Sequence, residues 1–327
     1  MQRGCFMEEN TKFRFAVMGA GHISHKFCDA ASLIDDCEIA AIASRDINKA
    51  RREAQQYGIA GAYDSYEKML IEEKPDAVYI AVTTNAHYDL AMLCMAHNTP
   101  ILCEKAMFRN ACEAEDVFRH SKEQGIFAME AMWSLFLPHI RKARQWIEEG
   151  RIGEITLGKF DIGFQAEKNP KNRFYNSELG GGACYDILVY AYDILTWLIG
   201  QPVQGTSIRA LYTKDGVDKT DVVQLEFPDC MGVLTATFEA DLGDQEQAVI
   251  YGSRGRIVIP HAHHGALCYL YVDGEEPVTW KDNETANGFV YEIREVMDCI
   301  ERGKIESSTV PHDMTMRTSL LFDKIHK

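Results

Sequence analysis

Three small constellations in this sequence carry side chains able to do chemistry. The first is a lysine: Ile101-Leu102-Cys103-Glu104-Lys105-Ala106 reads as a short buried strand that stops at an acid and an amine. A lysine at the carboxyl end of a parallel strand stands on the sheet edge where ligands bind in open α/β folds. The second is Gly19-Ala20-Gly21-His22-Ile23-Ser24, directly after the apolar run Phe13 to Met18. Two glycines there permit a tight turn and let backbone N–H groups approach a pyrophosphate at a helix N-terminus. Serine in the third place is small enough for helix–strand packing. The third is Asp186 and Tyr190, four residues apart and so on one face of a helix, a face that Asp193 continues. Taken alone, such a pair reads as a cap and a buried phenol.

The elements around the glycines decide their meaning. A strand precedes them, an amphipathic helix follows, and Glu38 to Ala43 forms a second strand, which is the context of a dinucleotide-binding fingerprint. The end of the second strand chooses the cofactor. An acid there binds the adenosine ribose of NAD, whereas this chain has Ser44-Arg45, a pair suited to the 2′-phosphate of NADP. NADP is favoured. Asp46 keeps NAD open, and a purely structural reading makes Arg45 a solvated charge and Asp46 the cap of a helix ending at Tyr57.

Further strand–helix units follow. Asp76 to Val82 is a strand, and Thr83, Thr84, Asn85 and His87 open the next helix. These polar groups either reach a ribose or nicotinamide or cap the helix; His87 by itself reads as a capping or packing residue. Next come Pro100 to Cys103, a helix from Ala111 to Gln124, and a strand at Ile126 to Met129. Such alternation predicts a doubly wound parallel sheet over residues 1–131.

From Glu154 the pattern changes. Close-set strands at Ile155 to Phe164, Val222 to Phe227, Gly232 to Glu239, Ala248 to Tyr251 and Arg256 to Ile259 indicate a mainly antiparallel open sheet in an α+β domain, residues 132–327. Gly180-Gly181-Gly182 let backbone pass close to a ligand or helix. A helix follows with Ile187, Ala191, Ile194, Leu195 and Leu198 as its buried stripe. Helices are also expected at Gly288 to Arg302 and His312 to Ile325, the last packing back on the first domain.

Beyond Glu104-Lys105 the motifs become specific. Met129-Glu130-Ala131-Met132-Trp133, Phe136-Leu137-Pro138, Gly150 to Ile155 and the glycine run resemble the glucose–fructose oxidoreductase/inositol dehydrogenase (Gfo/Idh/MocA) family. Glu-Ala-Met-Trp and Ser44-Arg45 are most similar to its dimeric dihydrodiol dehydrogenase and NADP-dependent xylose dehydrogenase branch. The resemblance implies hydride transfer between a nicotinamide cofactor and a carbinol of a sugar, polyol or cyclic trans-dihydrodiol. It places Lys105, Asp186 and Tyr190 together as the catalytic set. Glu104 counts with the cofactor residues. From the residues alone, Trp133 either walls the nicotinamide pocket and substrate site or is core, and Arg173 and Phe174, in a polar loop before the glycine run, either touch substrate or are solvated. The resemblance further implies a homodimer or higher homo-oligomer through the open sheet. Two positions depart from the pattern: Ala106 replaces the family's proline, and Leu135 replaces the branch's arginine.

Free lysine and tyrosine titrate near about 10.4 and 10, so a base for the hydroxyl proton must be tuned downward. We expect Tyr190 to exchange the proton, Lys105 to orient the hydroxyl and tune Tyr190, and Asp186 to hold the network. The reverse assignment, with Lys105 as base, stays open. Two rival classes also remain: a redox-assisted glycoside-cleaving enzyme of the same superfold, and a non-catalytic NADP-binding sensor.

The bulk composition narrows the partners. A net charge of −15 over 327 residues argues against nucleic acid or an anionic membrane surface. The 10 cysteines include no Cys-x-x-Cys pair, which suits reduced thiols in the cytoplasm rather than disulfides or zinc. Met1 to Lys12 is polar and no secretory signal is expected, nor any run able to span a bilayer. His261-Ala262-His263-His264 lacks a carboxylate or thiol at ligand spacing, so no metal is expected.

Overall fold

The computed structural model describes residues 12–169 and 172–327; the polar start, residues 1–11, lies outside them. Its first layer is a six-stranded parallel sheet built from β1 (Phe13–Met18), β2 (Cys37–Ala43), β3 (Gly61–Tyr63), β4 (Ala77–Ile80), β5 (Ile101–Glu104) and β6 (Ala128–Ala131). The crossovers are α1 (His22–Ala31), α2 (Ile47–Tyr57), α3 (Tyr66–Glu73), α4 (His87–Ala96) and α5 (Ala111–Gln124). Central strands such as β4 and β5 are wholly buried, as strands covered on both faces by helices must be. Strand order is β3-β2-β1-β4-β5-β6, so the winding reverses between β1 and β4 and opens a crevice at their carboxyl ends. Gly19 has φ +120°, and a Cβ there would stand 2.2 Å from the Ala81 carbonyl oxygen. Only glycine lets the two exit turns lie so close.

Two strand boundaries differ from the sequence reading. β5 includes Glu104, and β6 starts two residues late, because Glu104 pairs with Ala131 in the ladder.

The second layer is an eight-stranded sheet. Its elements are α6 (Pro138–Glu148), β7 (Ile155–Gly163), α7 (Val189–Ile199), β8 (Gly205–Tyr212), β9 (Asp218–Glu226), β10 (Met231–Thr237), β11 (Gln247–Gly252), β12 (Gly255–Pro260), β13 (Leu267–Val272) and β14 (Val278–Lys281). The order is β14-β13-β12-β11-β7-β10-β9-β8, antiparallel except for the β7–β10 pair. Helices α6 and α7 cover one face. Gly158 makes room for α7, since a Cβ there would lie 2.9 Å from Leu195. The other face stays open, with Val222, Gln224 and Glu226 of β9 exposed.

Residues 177–199 form a run long and apolar enough by composition to cross a bilayer, contrary to the expectation from sequence. Most of it is buried as the core helix between sheet and crevice. Its start, Cys184–Leu188, is wound as a π-turn before α7.

The chain closes with α8 (Phe289–Glu301) and α9 (His312–Ile325), and α9 returns to the first sheet as expected. Ala128 N–H on edge strand β6 donates to Ile305 O at 3.0 Å. Thr315 donates to Glu130 at 2.7 Å, and Asp323 accepts from Ala111 N–H at 3.2 Å. Thr318 donates to Asp193 at 2.5 Å, so Asp193 is buried against α9 rather than continuing the Asp186–Tyr190 face.

Glu292 on α8 is fully buried with neither oxygen partnered. Burial, then nearby Glu104, push its pKa well above the ordinary carboxylate range. The folded protein therefore holds a proton that the unfolded chain releases above about pH 4.3, and stability drains as pH rises. Glu292→Gln should match wild type near pH 4 and become progressively more stable toward pH 8, by up to about 1.4 kcal/mol per pH unit. Urea unfolding at stepped pH checks this.

Candidate active site

Lys105 follows the last residue of β5 and crosses the crevice. Its Nζ donates to the Asp186 carbonyl oxygen at 2.6 Å and lies 3.3 Å from Asp186 Oδ1. This carbonyl lies within the π-turn Cys184–Leu188. The ammonium also sits 4.6 Å above the centre of the Tyr190 ring. Two of its three N–H groups are thus engaged, and one remains for a substrate oxygen. The Tyr190 hydroxyl accepts from Trp133 Nε1 at 3.1 Å, and Trp133 stacks on Phe289 at 5.1 Å. Arg173 reaches the same Asp186 Oδ1 at 3.2 Å, from a largely exposed position.

The charges decide the protonation states. Burial pulls the Lys105 ammonium down, but Asp186, Tyr190 and Glu104 together outweigh it and hold its pKa above the usual lysine value. Burial raises the Asp186 carboxyl, and Lys105 and Arg173 more than reverse that, so it stays ionised. For Tyr190 burial raises the pKa, Lys105 opposes it, Glu104 adds to it, and the net direction is upward. This corrects the expectation of a phenol tuned downward: Lys105 does favour phenolate, but the low-dielectric site outweighs it. The phenol is protonated and poised to donate.

The remaining sequence candidates divide. Gly19, Gly21, His22 and Ile23 form the turn from β1 into α1, with Gly21 and His22 exposed. Ser24 donates to Gly21 O at 2.7 Å and accepts Gly21 N–H at 2.9 Å, so its hydroxyl stabilises the turn. A Cβ at Gly21 would meet nothing within 4 Å, which leaves room at this helix N-terminus for a pyrophosphate. Ser44 is buried and accepts Asp46 N–H at 3.3 Å, Asp46 caps α2 through Asn48 N–H at 2.9 Å, and Arg45 is exposed. Thr83 donates to Asn85 at 2.7 Å, and Gly180 packs against Thr84, its absent Cβ 2.8 Å from that residue's. The glycine loop thus closes on the turn that borders the crevice; neither Thr84 nor Asn85 caps α4.

Two cofactor candidates are corrected. His87 is buried, its ring nitrogens 3.0 and 3.1 Å from the carbonyls of Ala106 and Val82, and it braces two loops instead of reaching a ligand. Glu104 is also buried; it accepts from Tyr79 and from Lys105 N–H, and supports the strand tip from beneath. Phe174 packs on Phe164 and Phe238 at 5.1 and 5.3 Å, which anchors the loop that carries Arg173. Leu135 and Ala106, the two departures, are both fully buried.

The structure adds groups that spacing missed. His263 lies 5.0 Å from the Tyr190 ring and 3.1 Å from Glu246, so a carboxylate does reach the histidine run, from a residue distant in sequence. Phe289 behind Trp133 is a second. The histidine run drew notice only as a metal candidate, nothing local places His263 beside Tyr190, and nothing flags Phe289.

A reversed parallel sheet, an open glycine turn and a lysine–carboxylate–phenol set at its edge define a nicotinamide-dependent oxidoreductase. The N-terminal sheet, residues 13–131, matches the oxidoreductase family with an NAD-binding Rossmann fold, and residues 140–258 match the GFO/IDH/MocA C-terminal domain. The chain belongs to the GFO/IDH/MocA oxidoreductase family. It is similar to trans-1,2-dihydrobenzene-1,2-diol dehydrogenase of Mus musculus, 31% identical over 310 residues and 91% of each chain. The Homo sapiens protein of that name is 26% identical over 96% of each. In fold it resembles aldose-aldose oxidoreductase from Caulobacter crescentus (TM-score 0.87, 20% identity, 96% of each chain). It also resembles a levoglucosan dehydrogenase bound to NADH (TM-score 0.87, 18% identity, 96% of each chain).

Asp186→Asn keeps the shape but removes the charge that holds the lysine ammonium. It should lower kcat/KM by about 10²-fold or more and shift the alkaline limb of the pH profile downward. Steady-state kinetics across pH measures both effects.

Proposed function

We propose that this chain is an NADP-dependent dehydrogenase that oxidises a carbinol of a sugar, polyol or cyclic trans-dihydrodiol, or reduces the matching carbonyl. The observation that carries the reading is Lys105 spanning the crevice to Asp186 with Tyr190 beneath it. When bound, the nicotinamide accepts or delivers the hydride and, oxidised, adds positive charge beside the phenol.

The chain's own residues do the rest. Asp186, itself held by Arg173, fixes the Lys105 ammonium, whose free N–H holds the reacting oxygen. Tyr190, kept protonated by its surroundings, gives its proton to that oxygen during reduction; for oxidation it would first release that proton to solvent, and the phenolate beside the Lys105 ammonium would then take the hydroxyl proton. Trp133, with Phe289 behind it, holds the phenol by its indole N–H and offers an aromatic wall to an apolar ring face. That wall and the curated relatives favour a cyclic diol over an open polyol. With Lys105, Asp186 and Tyr190 all in place, we favour an enzyme over a sensor.

Arg45 supports the choice of NADP: it is exposed at the tip of β2, and the neighbouring carboxylate is spent on capping α2. The exposed side chains Leu211, Val222 and Met231 on the second sheet support a homo-oligomer assembled there. None of the nine described cysteines is disulfide-bonded, in keeping with a reducing, cytoplasmic setting.

Arg45→Asp should reduce the NADP-to-NAD preference by about 10–100-fold, the scale of one charge-assisted hydrogen bond. Ratios of kcat/KM with the two cofactors test it, and an unchanged ratio rejects the NADP assignment. Lys105→Met and Tyr190→Phe should each lower kcat by about 10²–10⁴-fold. Only Tyr190→Phe should erase the limb of the pH–rate curve that reports the proton donor, and full activity in this variant would remove tyrosine from that role.

A further inference from the structure

A second cluster of reactive side chains shares the π-turn that carries Asp186 but does not include Lys105. Cys184 starts the π-turn, Asp218 opens β9, and His326 follows α9. Cys184 Sγ lies 3.3 Å from His326 Nε2 and 3.5 Å from Asp218 Oδ1, and those last two atoms are 3.6 Å apart. Tetrahedral coordination with bonds of about 2.0–2.3 Å sets its ligand atoms about 3.3–3.7 Å apart. We infer that Cys184, Asp218 and His326 form a binding site for one divalent transition-metal ion, with zinc the best match.

The surroundings fit an ion. Asp218 Oδ2 accepts Cys184 N–H at 2.6 Å, which orients the carboxylate and leaves Oδ1 facing the thiol and imidazole. Gly182 permits this approach, since a Cβ there would lie 2.2 Å from Oδ1. Tyr185 stacks on the His326 ring at 5.2 Å and holds it over the site. Asp221 supplies an independent sign: it is fully buried beside this cluster, and neither of its oxygens has a hydrogen-bond partner among the described residues. Among the described residues no lysine or arginine pairs with Asp218 or Asp221. A divalent ion would compensate the negative charge that this buried group of carboxyls and thiol can carry.

Ligand type selects the ion. A thiolate with an imidazole suits zinc over magnesium or calcium, which take oxygen ligands. The fourth position falls to Asp221 or to water from an adjoining cavity of 380 Å³, lined in part by Tyr185, Gly216, Val217 and His326. That cavity is also the route to the site. Cysteine spacing hid the cluster, because its ligands stand 34 and 142 residues from Cys184. Bound metal would pin β9 and the end of the chain to the turn that presents Asp186 to Lys105.

The test uses the full chain, stripped with chelator and reloaded with zinc or cobalt. Wild type should take up about one zinc per chain and rise in Tm on loading. The cobalt form should show a thiolate-to-cobalt charge-transfer band in the near ultraviolet. Cys184→Ser should lose the band. His326→Gln, at a partly exposed position where the fold should tolerate it, should lose stoichiometric zinc and the Tm increase while keeping the unloaded Tm. No stoichiometric uptake by wild type, or equal uptake by His326→Gln, overturns the assignment. So does a charge-transfer band that survives in Cys184→Ser.

Discussion

An ammonium held between two sheets is the constraint on which this structure depends. Lys105 follows the tip of β5 and Asp186 lies in the helix laid on the second sheet, and the 2.6 Å bond between them ties strand tip to helix. The bond uses a backbone carbonyl, so the requirement falls on the course of the chain as much as on the side chain. The π-turn meets it, as do the glycines of the preceding loop, one of which rests on Thr84. A lysine without this acceptor would be a buried, uncompensated charge.

Burial and charge compete throughout the site, and the winner differs by residue. For Lys105 and Asp186 the mutual attraction outweighs desolvation, and both stay ionised. For Tyr190 desolvation wins and the proton stays. Glu104, buried beneath them, is pushed upward by burial even though Tyr79 donates to it. The result is a crevice floor with one fixed cation, one fixed anion and one neutral proton donor. Such separation of roles by environment is what acid–base chemistry near neutrality requires.

Much of this was legible in the sequence, for physical reasons that can be named. Strand–helix alternation gave the parallel sheet, because strands covered on both faces must be short apolar runs. The helices Ala111–Gln124 and His312–Ile325 were readable to the residue, one opened by an asparagine cap and the other by Pro311. Lys105, Asp186 and Tyr190 were placed by resemblance, not by spacing, since the helix that carries two of them opens with a π-turn. What sequence could not convey was contact between distant segments. His87 read as a capping or packing residue yet stayed among the cofactor candidates, because its two carbonyl partners are invisible in the linear chain. Glu246 beside His263, and Arg173 on Asp186, are likewise products of tertiary approach.

The return of α9 to the first sheet has a consequence for how the protein is made. The edge of β6 is completed by Ile305, and α5 receives α9 only after the second sheet has been synthesised. During synthesis the amino-terminal half therefore emerges with an uncovered strand edge and helix flank until the segment from Ile305 through α9 follows. The fit of the two halves therefore depends on α9, which packs on α5 and β6 of the first and on α7 and β8 of the second, so removing it would uncover both.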